Sequence, residues 1–180
     1  MGGERLVGWL APVVGRETVD WDGVYRQELP RIYSFFRYRV RGRALAEDLT
    51  SATFEKAWRA RHRYRRDRAS VGTWLLAIAR NVAIDHFRRA RPEVPLEEDV
   101  LGDAPTPESE AVRRADERHL GELLASLPAR DRELVALKYG AGATNRAIAR
   151  MTGLSESNVG TILHRTVGAL RAAWDEGGRS

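Results

Sequence analysis

"TNRAIARMTGLSESNVGTILHRTVGALR", residues Thr144–Arg171, holds two helix starts and one forced turn in a single short run. Thr144 is suited to cap a first helix, in which Ile148 and Ala149 face inward and the small Ala149 admits a second helix closely. Gly153 fits a tight turn, Leu154 fills the space beneath it, and Ser155 caps the helix that follows. Val159, Ile162, Leu163 and Leu170 then supply the buried face of that helix. The spacing from Ala149 through Gly153 to Val159 and Ile162 suits two short helices crossing steeply over a small core. An ordinary helical hairpin is the plain reading. The sharper one is a helix-turn-helix, whose second helix lies in the major groove and offers its first turns to base edges. Ser157, Asn158, Thr161, His164 and Arg165 face outward on this reading, with Ser155 and Glu156 at the helix start. Asn and Arg can make two-pronged contacts to adenine and guanine, whereas Arg146, Arg150 and Arg171 suit phosphates that set register.

Working towards the amino terminus, "SLPARDRELVALKYGAG", Ser126–Gly142, reads as a helix opening near Pro128 and closing at Gly140 or Gly142, with Leu134, Val135 and Leu137 buried. Before it the character changes. "RPEVPLEEDVLGDAPTPESE", Arg91–Glu110, interleaves Pro92, Pro95, Pro105 and Pro107 with seven acidic residues and shows no sustained apolar period. Such a segment reads as a solvated linker, or as an acidic strand occupying a channel built for nucleic acid. Further upstream, apolar residues recur at helical spacing: Tyr25, Leu29, Ile32, Phe35 and Phe36 in one segment, Leu45, Leu49, Phe54 and Trp58 in the next. The same region is dense in arginine and poor in acid, so its surface is positive somewhere.

The whole chain has 180 residues, 43% of them hydrophobic and 31% charged, with a formal net charge of +5. That composition suits a folded protein with one modest core or two small ones, and its positive charge favours a polyanionic partner. With no cysteine, disulfides, thiolate chemistry and Cys-containing zinc sites are excluded together. The apolar run in "MGGERLVGWLAPVVG", Met1–Gly15, is too short to span a bilayer, which takes roughly 20 residues, and is poorly formed as a signal peptide. A cytoplasmic location is expected, without membrane insertion.

The stretch "TWLLAIARNVAIDHFRR", Thr73–Arg89, combines an apolar face of Leu75, Ile78 and Val82 with Asn81, Asp85, Arg88 and Arg89 along another face. A catalytic cluster, a solvated face and a surface that reads nucleic acid all stand open for it. Trp74, Phe54 and Trp58 fall at core spacing.

At this point the two halves together resemble a bacterial sigma factor of the extracytoplasmic-function (ECF) type, within the sigma-70 family. "AEDLTSATFEKAWRAR", Ala46–Arg61, is similar to the family's polymerase-binding helix. Thr73–Arg89 matches its W-L-x-x-I-A-x-N-x-x-x-D-x-x-R pattern, and Leu127–Gly142 looks like the entry into the carboxy-terminal domain. The resemblance covers roughly Val24 to Arg171. It implies an all-α fold of two small helical domains joined by the acidic Pro-rich linker. The expected parts are an extension over residues 1–20, region two over 21–91, the linker over 92–112, and region four with the helix-turn-helix over 113–175.

The resemblance also implies partners and roles. Core RNA polymerase would be bound through Glu47, Asp48, Leu49, Thr53, Phe54 and Trp58. The minus-ten promoter element would be melted and held by the loop "RYRRDRAS", through Arg65, Arg66, Asp67, Arg68 and Ser70, and by Arg80, Asn81, Asp85, Arg88 and Arg89. A protein favours melted DNA only by binding the unpaired strand better than the duplex. Asn81 can both donate to and accept from a splayed base, Arg80, Arg88 and Arg89 suit the backbone, and Asp85 can pair with Arg88 or Arg89. The minus-thirty-five element would be read as duplex by Arg146, Ser155, Glu156, Ser157, Asn158, Thr161, His164 and Arg165. The chain departs from the family at Gly160 and Ile162, which replace two customary basic positions, and at Ala147, where Glu is common. An anti-sigma protein is a further implied partner. Trp9, Leu10, Val13 and Val14 suggest a short amphipathic helix.

An enzyme is the competing class. His62, His86, His119 and His164 are scattered without metal-ligand spacing, "GAGATNR" lacks the Lys-Ser/Thr of a phosphate-binding loop, and the carboxylates concentrate in the linker. No catalysis, cofactor or metal is expected. A stand-alone helix-turn-helix repressor is the other alternative; it would bind duplex DNA unaided.

Overall fold

The computed structural model describes residues 19–89 and 107–177. The expectations for the amino-terminal extension and for most of the acidic linker lie outside those residues. The described chain runs through α1 (Trp21–Arg39), α2 (Arg43–Ala60), a short 3-10 turn (Arg61–Arg63), α3 (Val71–Arg89), α4 (Pro107–Ser126), α5 (Ala129–Val135), a π-helical turn (Ala136–Gly140), α6 (Asn145–Thr152) and α7 (Glu156–Gly177). There is no strand among the described residues.

Local chemistry sets most of the boundaries. The Asp20 carboxylate accepts from the Gly23 amide at 3.0 Å and starts α1, satisfying one of the donors a helix leaves open at its beginning. Gly42, at φ 89°, makes the turn into α2, in a region that L side chains disfavour. Ser70 Oγ accepts from the Thr73 amide at the start of α3. Helix α4 begins at Pro107, inside the segment expected to be linker. Proline density argued against a helix there, but a proline in the first turn loses no ladder bond, and Pro107 starts the helix.

Helices α1, α2 and α3 form the first module. Ile32, Phe35, Phe36, Ala46, Leu75, Leu76 and Ala79 are almost wholly withdrawn from solvent between them, and Phe35 meets Phe36 edge to face at 5.1 Å. Tyr25 and Trp58, expected at core spacing, are instead 47% and 53% exposed. They lie towards the first turn of α1 and the last turn of α2, where the neighbouring helices no longer cover the stripe. Phe54 and Trp74 are half-buried against the core, as their spacing predicted.

The second module is built by α4–α7. Leu134, Val135, Leu137, Ile148, Val159, Ile162 and Leu163 fill it, and Ala149, Leu154 and Leu170 pack at its edge. Thr144 caps α6 by accepting from the Ala147 amide at 3.2 Å, Gly153 turns the chain at φ 76°, and Ser155 Oγ accepts from the Asn158 amide at 3.2 Å. Each part of the expected helix-turn-helix is therefore in place. Thr144→Ala removes one cap and should cost about 1 kcal/mol, measured as a lowered urea midpoint at unchanged slope.

The two modules share one continuous core. Its join is the π-helical turn, where the Ala141 amide donates to Ala136 O at 2.9 Å and widens the last turn before Gly140. This turn lies against α1, which also packs on α4 and α5. A Cβ on Gly140 would meet Ser34 O at 2.9 Å and the Phe35 Cα at 3.1 Å, so only glycine lets the two backbones come this close.

Candidate nucleic-acid and polymerase interfaces

The loop before α3 is pinned from beneath and charged above. Trp21, Tyr64 and Trp74 form an aromatic triangle with ring centroids 5.3–6.1 Å apart, and the Tyr64 hydroxyl donates to Ala69 O at 3.1 Å. Arg68 N donates to Arg65 O at 3.0 Å, closing a turn. With the backbone held in this way, Arg65, Arg66, Asp67, Arg68 and Ser70 all project to solvent. Arg65 grips Asp67 through Nε and Nη2 at 3.1 and 3.2 Å. That hydrogen-bonded guanidinium holds the Asp67 carboxyl below the ordinary carboxylate range. The clasp is therefore intact above the usual aspartate value and is lost only as pH falls through the lowered one.

Along α3 the expected two faces are present. Leu75 and Val82 are buried and Ile78 is half-buried, while Asn81, Arg88 and Arg89 are exposed. Asp85 accepts from Arg88 Nη2 at 3.1 Å and from Lys56 Nζ of α2 at 3.4 Å. Of the two partners anticipated for it, the structure selects Arg88. Pairs as exposed as this one contribute only tenths of a kcal/mol, so Arg88 can exchange its carboxylate for a phosphate at little cost.

Arg80 differs from the rest of the set. Its Nε donates to Glu133 Oε1 of α5 at 2.5 Å, with both side chains mostly covered. No local pattern in the sequence signals a pair whose members stand 53 residues apart. Arg39 was missed for the same reason: it is buried at the end of α1 with its guanidinium 4.4 Å from the Phe87 ring centroid. Burial lowers its affinity for a proton, and Glu133 partly offsets that effect.

On α2, Glu47 and Asp48 are exposed, and Glu47 sits 3.8 Å from Arg43 Nε. Leu49 and Thr53, which the resemblance assigned to polymerase, are buried, and Thr53 Oγ1 donates to Leu49 O at 2.7 Å. Both sit under the helix rather than on its outer face. Trp58 stands out from the surface with the Arg61 guanidinium 4.0 Å above its ring. Together with Trp21, Tyr25 and Phe54 it lines a shallow apolar groove, and Phe54 stacks edge-on to Tyr25 at 4.7 Å.

In the second module the outward set is presented as expected: Arg146, Ser155, Glu156, Ser157, Asn158, Thr161, His164 and Arg165 are exposed. Ser155 is committed to its cap, and Thr161 Oγ1 donates to Ser157 O at 3.1 Å. Arg165 reaches Asp131 Oδ2 at 3.3 Å, the same oxygen that receives Thr166 Oγ1. Gly160 faces the Asn145 side chain, which a Cβ would meet at an ordinary 3.6 Å. Ile162, the other departure from basic character, is buried.

Among the described residues no group of three or more His, Asp or Glu side chains could hold a metal ion, and no helix is long and apolar enough to cross a membrane.

Residues 24–93 match the family described as Sigma-70 region 2, and residues 118–170 match Sigma-70, region 4. The chain is 32% identical over 154 residues to the RNA polymerase sigma factor CarQ of Myxococcus xanthus, covering 84% of this chain and 87% of that one. It is 31% identical over 151 residues to the ECF RNA polymerase sigma factor BldN of Streptomyces coelicolor. That match takes in 82% of this chain and spans 57% of BldN. Among solved structures, the sigma factor RpoE of Bartonella quintana, crystallised with the anti-sigma factor NepR, superposes with a TM-score of 0.68 at 19% identity, covering 87% of this chain and 97% of that one.

Proposed function

We propose how this chain, which belongs to the ECF branch of the sigma-70 family of RNA polymerase sigma factors, divides between its two modules the family's work of binding core polymerase and recognising promoters. Region two comprises residues 21–91 and region four residues 113–175, with α4 extending region four back to Pro107. The observation that carries this reading is the set of charged and aromatic side chains that the first module holds out to solvent. Glu47 and Asp48 are exposed near the start of α2 and Trp58 near its end, and the arginine loop is exposed together with Asn81, Arg88 and Arg89 of α3.

Polymerase contact falls to Glu47, Asp48 and Trp58, with Phe54 at the groove edge. Leu49 and Thr53 hold α2 in place from below. The separated minus-ten strand is taken by Arg65, Arg66, Asp67, Arg68 and Ser70 of the loop and by Asn81, Asp85, Arg88 and Arg89 on α3, with Arg80 joining them. Asn81 reads a splayed base edge, and the arginines neutralise phosphates. In region four, Asn158 and Arg165 read base edges in the duplex minus-thirty-five element; Ser157, Thr161 and His164 line the groove, while Arg146 fixes register on the backbone. Ser155 and Glu156 shape the start of the reading helix. The polymerase does the chemistry, and this chain needs no cofactor or metal of its own. An anti-sigma partner covers the polymerase face, and the protein works in the cytoplasm. A stand-alone repressor would leave α1–α3 and their arginine face without a task.

Arg88→Ala combined with Arg89→Ala should leave capture by core polymerase unchanged and weaken strand opening roughly tenfold, as fluorescence of a base analogue in the minus-ten element reads it. Start-site mapping of transcripts made by reconstituted holoenzyme tests the reading as a whole. A defined start that appears only when this chain is added supports it, and unchanged output from core polymerase sinks it.

A further inference from the structure

Arg80, one of the arginines proposed for the melted strand, is tied to the other module. Its Nε lies 2.5 Å from Glu133 Oε1, with side-chain exposures of 23% and 14%. The two modules are held in that register by two further features of the same seam. Arg31 Nε donates to Ala141 O at 2.6 Å, and Gly140 rests on the backbone of Ser34 and Phe35. A carboxylate oxygen receiving a guanidinium N–H at this distance presents the charge and acceptor geometry of a phosphodiester oxygen.

We propose that Glu133 occupies on Arg80 the place that a backbone phosphate of the single strand takes once the two modules part. The docked chain is thereby a weak binder of unpaired DNA. Parting the modules frees Arg80, on the same helix as Asn81 and Arg88, and adds one phosphate contact to the face already exposed. Arg39 is electrostatically coupled to both Arg80 and Glu133. When the carboxylate leaves, the cationic character of this corner rises, which favours an incoming phosphate over an empty site. The proposal rests on the assignment of α3 to the melted strand and adds the residue that competes for it.

The test uses the full chain with Glu133→Gln, Gly140→Ala, Arg80→Ala and the Arg80→Ala/Glu133→Gln pair. A fluorescent twelve-nucleotide single strand of mixed sequence reports binding by anisotropy at several salt concentrations, and small-angle scattering reports the radius of gyration. Gly140→Ala acts on the seam alone, through the clash with Ser34 O and the Phe35 Cα, and leaves every charge in place. Both single variants at the seam should expand the particle and bind the strand roughly tenfold more tightly, as one added charge-assisted contact would. Their dependence of log affinity on log salt should steepen by about 0.7, the increment for one more phosphate on a single strand. Arg80→Ala should cancel the gain in the double variant. Variants that expand yet bind no more tightly overturn the proposal, as does a gain that survives Arg80→Ala. Failure of both seam variants to expand overturns it too, since the latch would then not be what holds the modules. Capture of the wild-type chain by core polymerase is scored separately, so loss of the family-level reading and loss of this one are told apart.

Discussion

Trp58→Ala should lower affinity for core RNA polymerase roughly 30-fold or more, the range expected when an aromatic anchor is removed from a protein interface, while leaving the fold unaltered. The side chain is 53% exposed, so little of its area contributes to folding, and a surface truncation of this kind shifts stability by about 0.5 kcal/mol or less. The groove it shares with Trp21, Tyr25 and Phe54 is apolar and flanked by the charged Arg61, an arrangement suited to a desolvated anchor with a polar rim. Glu47→Ala, on the exposed first turns of α2, should act mainly on the association rate and on its salt dependence. Titration of labelled protein with core enzyme, beside a urea melt, separates the two properties. An unaltered polymerase affinity for Trp58→Ala would show that polymerase does not dock on this groove.

Phe35→Ala should do the opposite, and its cost should reach both modules. Phe35 is wholly buried, stacks on Phe36, and has its Cα directly under the π-helical turn of the second module. Emptying such a site costs about 3–5 kcal/mol, a large part of the 5–15 kcal/mol or so that keeps a domain folded. Because residues of both modules belong to one core, unfolding followed in the first module at Trp21 and Trp74 and in the second at Trp174 should shift to lower urea together. Movement of the first-module signal alone would show that the seam carries no stability between them.

These two residues differ in how far the sequence pattern determines their place. Phe35 and Trp58 both fall on an apolar stripe of helical period, and period alone cannot say where along a helix its neighbours stop covering it. Trp58 lies near the end of α2 and emerges. Leu49 and Thr53 lie mid-helix and sink, although the family pattern placed all three on one contact surface. The helix-turn-helix was legible almost residue by residue, because caps, the left-handed glycine and the small crossing residue are local and each has its own chemistry. Glu133 and Arg39 had no such signal. Their roles come from the docking of α5 on α1 and α3, which depends on surface shape and on the Gly140 approach rather than on any nearby motif. Pro107 was misread for a different reason, since proline weighs against helix interiors but favours their first turn.

On the proposed function, this chain draws binding energy from separated promoter strands only when seated on core polymerase. The direct measurement compares a promoter fragment that is fully paired with one held open across the minus-ten element, each titrated with the chain alone and with the chain bound to core enzyme. The complex should prefer the open fragment by roughly 30-fold or more, whereas the chain alone should bind both weakly and nearly equally. Tight binding of the paired fragment by the chain alone, unchanged by core enzyme, would contradict it.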